Sequence, residues 1–349
     1  MKTSHKTLVI RFSSIGDIVL STPLLRVLRA RFPQGQIDYV TRSEYAQLVR
    51  FNANLNVTHE FDTTTGFAGL RELKKKLRRE RYDLIVDLHN SIRSRFLRSM
   101  RGVGSVVKVD KRIKERTLLV KFKKNTYESI VPVADRYIET VLGFGVQSDG
   151  KKAEVHIPDE ILFGVSGKMA KLRLDRFEHV IGFCPFARHT TKEWPAERFV
   201  ELGARVAGEL NGAIMIFGGT PDRERAERMV HALSDSAGKE RILNLTGELS
   251  LLESAAAMQY CDVIVTNDSG LMHLAAAMEK KVVALFGSTV EEFGFFPPKE
   301  NSVVLERKGL HCRPCSHLGL PQCPEGHFRC MSEITVEDVF QAVVGFIRQ

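Results

Sequence analysis

No stretch of this 349-residue chain approaches the roughly 20 consecutive apolar residues that a membrane-spanning helix needs. The amino-terminal apolar run, Leu8–Ile10, ends at Arg11. That is too short for the apolar core of a signal peptide and has no small-residue cleavage site, which argues against secretion and for a cytoplasmic protein. The turn after the first predicted strand lacks G-x-G-x-x-G spacing, which counts against a dehydrogenase. No D-x-D pair stands in a loop where a divalent cation could bridge a diphosphate. Low-complexity tracts and short-period repeats are missing as well. The basic segments carry no aromatic interleaving of the kind an RNA-binding sheet uses, so nucleic acid is the weakest of the anionic partners.

What is there is ordinary globular composition, 43% hydrophobic and 27% charged. The length suits two α/β domains of roughly 150–180 residues each. The net charge of +9 is unevenly placed. Arg71–Arg81 reads RELKKKLRRER, and Arg93–Lys124 adds further cations. Such runs are either solvated helix faces and loops or attractors for an anionic membrane surface or phosphorylated acceptor.

Thr7–Phe12 is a β-branched apolar run that predicts a buried parallel strand. The helical period that follows, through Leu24, Leu25, Leu28 and Phe32, contains Pro23. The helix therefore starts near Gly16 and kinks, or starts at Ser21 with Pro23 in its first turn. Strands are predicted at Ile37–Val40, Asp83–Leu88 and Gly104–Val109, and helices at Ala46–Arg50 and Leu70–Glu80. The polar segment between Phe144 and Pro158 marks a boundary, giving domains 1–160 and 161–349. Alternation then restarts, with strands at Val180–Cys184, Ala213–Phe217, Ile242–Leu245, Val263–Thr266 and Val282–Phe286. Helices fall at Arg198–Leu210, Arg223–Ser234, Ser250–Gln259 and Leu271–Met278. Two successive βα arrays predict an α/β protein of two Rossmann-like domains facing each other across a cleft, with a C-terminal helix that could pack back on the first.

Four segments carry candidate chemistry. Arg11–Thr22 (RFSSIGDIVLST) delivers a strand into a small polar turn, where Gly16 permits close ligand approach and Asp17 either caps the helix or faces a ligand. Pro185–Pro195 (PFARHTTKEWP) packs Arg188, His189, Thr190, Thr191 and Lys192 together after a strand; hydroxyls and an ammonium suit a diphosphate, although an exposed polar loop reads the same way. Val263–Ala277 (VIVTNDSGLMHLAAA) ends a strand at Asn267-Asp268-Ser269-Gly270 and starts a helix at once. Free N–H groups there favour an anion, with His273 one turn further on the side of Ser269; a purely structural cap is the alternative. Phe217–Glu224 (FGGTPDRE) places an acid after a glycine turn, where it could take ribose hydroxyls or serve the helix dipole.

In this order the segments resemble the ADP-heptose:lipopolysaccharide heptosyltransferases, glycosyltransferase family 9, with a GT-B fold. The likeness runs from S-x-G-D at Ser14–Asp17 through T-K-x-W at Thr191–Trp194 to D-S-G-x-x-H at Asp268–His273. It implies an inverting glycosyltransferase with Asp17 as general base and Lys192 balancing charge on departing ADP. Thr190, Thr191, Lys192, Asp268, Ser269, Gly270 and His273 would hold the donor diphosphate, and Asp222 the ribose, with Glu224 nearby. It also implies ADP-heptose as donor, no catalytic cofactor, and the lipopolysaccharide inner core on lipid A as acceptor. The protein would then touch the cytoplasmic leaflet of the inner membrane peripherally. Ser14, Gly16, Arg93 and Arg95 are the acceptor-side candidates, and the basic stretches Arg71–Arg81 and Arg93–Arg101 would meet the acceptor or the membrane. The rival readings are a nucleotide-sugar epimerase of the same architecture and a silent nucleotide- or zinc-binding module.

Of six cysteines, Cys184 and Cys261 stand beside apolar runs as inert core thiols. Cys312, Cys315, Cys323 and Cys330, with His311, His317 and His327 interleaved, could hold a structural zinc, although only one C-x-x-C is present. Structural thiols or a redox-labile loop are the other readings.

Overall fold

The computed structural model describes residues 5–170 and 173–348. Its strands form two all-parallel sheets. In the first, β1 (Lys6–Ile10), β2 (Gln36–Arg42), β3 (Val57–Phe61), β4 (Leu84–Asp87) and β5 (Ser105–Lys108) lie in the order β3-β2-β1-β4-β5. In the second, β6 (His179–Cys184), β7 (Gly212–Ile216), β8 (Ile242–Asn244), β9 (Val263–Asn267), β10 (Lys281–Phe286) and β11 (Ser302–Glu306) lie in the order β11-β10-β9-β6-β7-β8. Both are Rossmann orders, so the α/β, GT-B expectation holds. Helices cover both faces, which is why the central strands are apolar throughout rather than alternating; β7 and β9 are buried at every position.

The chain divides into two compact units, Met1–Ile113 with Val131–His156, and Lys114–Ile130 with Ile157–Gln349. The first core gathers Leu8, Ile10, Val40, Leu73, Leu77 and Ile85. The second gathers Phe183, Trp194, Phe199, Val265 and Leu285, together with Val339, Phe340 and Val343 of the C-terminal helix Val336–Ile347. That helix spends its apolar face on the second unit's own sheet.

Pro23 produces neither a single kinked helix nor a single late start. A short helix, Ile15–Val19, is followed by a second, Thr22–Arg31, with Ser21 at its N-cap and Pro23 in its first turn. The edge strands β3 and β11 had no counterpart in the sequence reading. Both are only partly buried, so VTHEF and SVVLE lack the continuous apolar run that marks a central strand.

The second sheet is packed to contact. A Cβ at Gly182 of β6 would lie 2.4 Å from Ile264 Cδ1 and 3.0 Å from Cys261 Sγ, whereas Gly208 has nothing within 4 Å. Gly182→Ala should therefore destabilise the second unit by about 1–3 kcal/mol in a urea titration. Gly208→Ala, in the helix Ala196–Glu209, should be neutral or stabilising by up to about 1 kcal/mol. Equal effects of the two substitutions would contradict this packing.

Candidate functional site

In an open parallel sheet the chain leaves neighbouring strands in opposite directions at one point, and the crevice beyond the carboxyl ends there is where ligands bind. In the first sheet that point lies between β1 and β4, and Asp17 follows β1. One oxygen of Asp17 closes the short helix, accepting from Ser14 N at 3.1 Å and Ser14 Oγ at 2.9 Å. The other pairs with Arg11 Nη2 at 2.5 Å and accepts from Tyr137 Oη at 3.2 Å. The two readings of Asp17, cap and ligand-facing acid, are thus not exclusive. Arg11 is itself fixed, donating from Nε to Ser13 O at 2.8 Å and from Nη1 to Leu88 O. Burial opposes ionisation of Asp17, but the Arg11 guanidinium and the Ser14 hydrogen bonds outweigh it and hold the carboxyl below its ordinary range. Gly16 is buried beneath this turn and Ser14 is exposed at its rim.

Sequence reasoning missed the partners. Arg11 lay inside the quoted segment without being singled out, and Tyr137 comes from a helix, Val133–Glu139, that the pattern did not reveal. It also missed His89, which follows β4. That ring packs edge-on against Phe12 at 5.5 Å, and its Nδ1 is buried with no hydrogen-bond partner. Burial, then the charges of Arg11 and Lys111, push His89 down to about 3, so the imidazole is neutral.

In the second sheet the reversal lies between β6 and β9, whose ends are in register at Cys184 and Thr266. The two loops expected to hold phosphate leave these strands side by side. Asn267 joins them, donating Nδ2 to Pro185 O at 2.7 Å and accepting from Trp194 N at 3.0 Å. Lys192 Nζ pairs with the buried Asp268 Oδ2 at 2.6 Å, and Thr289 Oγ1 donates to the same oxygen at 2.6 Å. Burial works against the Asp268 charge, but Lys192 and Thr289 keep it ionised. Ser269, at the N-cap of the helix Gly270–Ala277, has a buried hydroxyl with no partner. An ammonium, an unspent hydroxyl and the first N–H groups of a helix therefore lie together, as an anion requires.

The remaining predicted residues divide. Thr190 is exposed, while Thr191 is buried and its hydroxyl is engaged with Ser288 Oγ at 3.1 Å and Leu320 N at 2.7 Å. Thr191 thus anchors the loop from behind. His273 is buried, with its ring 6.0 Å from that of Phe295. Asp222 accepts from Gly219 N at 3.0 Å, and burial raises its carboxyl despite that bond and Arg225. Glu224 is 83% exposed and paired with Arg228, which leaves Asp222 as the acid turned to the glycine loop. Arg93 and Arg95 are exposed on the helix Ile92–Arg98.

The C-terminal cysteines are partly gathered, with Cys312 Sγ 3.8 Å from His327 Nε2. Among the described residues no three His, Cys, Asp or Glu side chains are grouped so as to hold a metal. Cys312, Cys315, Cys323 and Cys330 are free thiols. Burial and the neighbouring cysteines push Cys315 up to about 12 and Cys330 up to about 11, so both stay protonated. Their loop also braces the loops that follow β6 and β10: Leu320 bonds Thr191, and Cys315 N donates to Ser288 O at 3.2 Å. Cys184 and Cys261 are buried, and burial raises both thiols, as expected of inert core residues.

Comparison with known proteins bears on the family and the fold. Residues 70–323 match the model of glycosyltransferase family 9 (heptosyltransferase). The chain is 29% identical to lipopolysaccharide heptosyltransferase 2 of Salmonella typhimurium over 82% of its length and 84% of the relative. It is 27% identical to the Escherichia coli K12 protein of the same name, over 99% of both chains. Among solved structures it resembles a family 9 glycosyl transferase from Veillonella parvula, with a TM-score of 0.82, 24% identity, and 100% and 99% of the two chains covered. It also resembles the E. coli ADP-heptose LPS heptosyltransferase II, with a TM-score of 0.77, 25% identity and 99% of both chains covered.

The Asp17–Arg11 pair makes a prediction that needs no substrate. With Arg11→Gln the burial of Asp17 is no longer outweighed, so its carboxyl should titrate above the ordinary value of about 3.9, whereas in the wild type it stays below. Carbon-13 NMR of the Asp17 carboxyl across pH reads this directly. Coincident midpoints in the two proteins would remove Arg11 as the cause.

Proposed function

The chain belongs to glycosyltransferase family 9, the heptosyltransferases, and from that premise we propose that it transfers heptose from ADP-heptose to the inner core of lipopolysaccharide with inversion at the anomeric carbon. The observation that supports this best is a pair of prepared charges, each at a sheet's strand-order reversal. Asp17 is kept ionised after β1, and Lys192 stands beside the N-terminus of the helix Gly270–Ala277. Glycosyl transfer to a hydroxyl needs one base for the acceptor proton and fixed positive charge for the leaving phosphate.

In this reading the first unit takes the acceptor and the second takes the donor. The acceptor oxygen attacks the anomeric carbon from the face opposite ADP, its proton passes to Asp17, and the bond from that carbon to the diphosphate oxygen breaks. Lys192, Ser269 and the N–H groups at Gly270 receive the developing charge, with Thr190 at the loop's outer edge and Asp268 aiming the ammonium. Thr191 and His273 hold these loops in shape, and Asp222 accepts from the ribose. Ser14, Arg93 and Arg95 face the anionic acceptor, with Gly16 buried beneath the turn that carries Ser14. Lysine and helix N–H groups serve where other enzymes use a divalent cation, so turnover is metal-independent. The acceptor is lipid-anchored, so the enzyme works in the cytoplasm in peripheral contact with the inner membrane. Among the described residues no helix is long and apolar enough to cross one.

Purified protein given ADP-heptose and heptose-deficient core acceptors should form the heptosylated product with release of ADP. Asp17→Asn should lower kcat by about 10²–10⁴-fold and Lys192→Ala by about 10²–10³-fold. Near-normal turnover in either variant would refute that residue's role. Free sugar released without acceptor would favour an epimerase, and nucleotide binding without transfer a silent module. EDTA should leave the rate unchanged; loss restored by magnesium or manganese would overturn metal independence.

A further inference from the structure

The helix Gly66–Glu80 buries Leu70, Leu73 and Leu77, one stripe at helical spacing, and with them its packing requirement is met. The rest of its surface is not a mixed, self-neutralising face. Arg71, Lys74, Lys75, Arg78 and Arg79 line a cavity of about 470 Å³ together with Phe96 of the neighbouring helix, and no carboxylate is among the lining residues. Arg71 with Lys75, Lys74 with Arg78, and Lys75 with Arg79 are like charges one turn apart, an arrangement that weakens a helix unless something external neutralises it. Glu72 approaches Lys75 only at 4.0 Å and is 77% exposed. Burial and the nearby Arg78 lower the Lys74 ammonium, a sign of the crowding.

Beside these cations stand exposed apolar side chains. Phe67, 61% exposed, begins the helix, and its ring meets that of Phe96 at 4.8 Å. Lys74 Nζ lies 4.2 Å from the centroid of the same Phe96 ring. Ile92, 86% exposed, precedes Phe96 by one turn on the helix Ile92–Arg98. Exposed aromatic and aliphatic groups among unneutralised cations are the combination that the headgroup and acyl boundary of an anionic bilayer accepts.

We propose that the groove between the helices Gly66–Glu80 and Ile92–Arg98 is the face that docks on an anionic membrane, with Phe67 and Ile92 entering the interfacial layer and the five cations engaging lipid phosphates. This names the surface for the peripheral contact in the functional reading above and to that extent rests on it. A soluble phosphorylated sugar is the weaker occupant, because it offers nothing to Phe67 or Ile92. Topology argues the same way. The helix joins β3 to β4, so it runs from the carboxyl edge of the sheet, where ligands bind, down to the amino edge over about 22 Å. A charged strip of that extent suits a surface better than a subsite at one edge.

The test is co-sedimentation of the full chain with vesicles of phosphatidylcholine, alone or with phosphatidylglycerol, at physiological salt. Wild type should bind only the anionic vesicles, less as salt rises. Lys74→Gln with Arg78→Gln should lower partitioning about 25-fold, at about fivefold per cation, and Phe67→Ser should lower it several-fold. The charge-preserving pair Lys74→Arg with Arg78→Lys should bind as wild type, which separates lost charge from lost folding. Turnover with a soluble deacylated core acceptor should be the same in all. Undiminished vesicle binding in the Gln pair would overturn the proposal. So would a raised KM for the soluble acceptor, which would make the groove an acceptor subsite. Absence of turnover in every protein, with vesicle binding as expected, would sink the transferase reading and leave the docking face standing.

Discussion

Strand order is the constraint on which the chemistry of this chain depends. A parallel sheet can reverse its winding direction only where two neighbouring strands send their helices to opposite faces, and there the loops beyond the strand ends part. Here each sheet reverses once, between β1 and β4 and between β6 and β9. Asp17 and His89 stand at the first reversal; Lys192, Asp268 and Ser269 stand at the second. At the second, the register of Cys184 with Thr266 brings the loops out level, and the side chain of Asn267 locks one to the other. Placement of the ammonium is thus a consequence of backbone pairing, carried by strands buried on both faces.

Both charged groups are paired within the chain, and the pairing has different effects. The Arg11 guanidinium holds the Asp17 carboxyl below its ordinary range, so, as the base we propose, Asp17 is ionised but weak. A weak base suffices if the acceptor proton leaves late, when the oxygen has already begun to bond to an electron-poor, oxocarbenium-like carbon and has become acidic. Lys192 is different. Its partner Asp268 also accepts from Thr289, so the carboxylate keeps one hydrogen bond if the ammonium turns toward a diphosphate. On the proposed function Asp268 is therefore a pivot for the lysine, and that is how an acid would belong to a loop that receives an anion.

The two-sheet architecture was legible because central parallel strands must be apolar along their whole length, and the runs at Leu8–Ile10, Ile181–Phe183 and Val263–Val265 are of that kind. Edge strands β3 and β11, half exposed, obey no such rule and gave no signal. The candidate site was readable where its residues sit in one strand–turn–helix segment, as Asp17, Lys192 and Asp268–Gly270 do. What could not be read were partners distant in sequence: Tyr137 on Asp17, Leu320 on Thr191, Thr289 on Asp268. The surroundings of the cysteine cluster were hidden for a related reason. The loop is held by its hydrogen bonds to Thr191 and Ser288, and Cys312 Sγ comes within 3.8 Å of His327 Nε2, contacts that spacing along the chain does not show.

On the functional reading proposed above, the uneven charge of the chain follows from what each unit would attract. A diphosphate is small, so on that reading one lysine, one hydroxyl and one helix N-terminus are enough to hold it. A surface is different, because attraction to many dispersed phosphates is summed over a face and grows with every cation added. Crowding like charges along the helix Gly66–Glu80 weakens that helix in isolation. Leu70, Leu73 and Leu77 offset the strain by anchoring its inner stripe to the first core. The apolar stripe and the basic face therefore belong to one design: only a helix fixed by burial can carry unneutralised cations on its outer side.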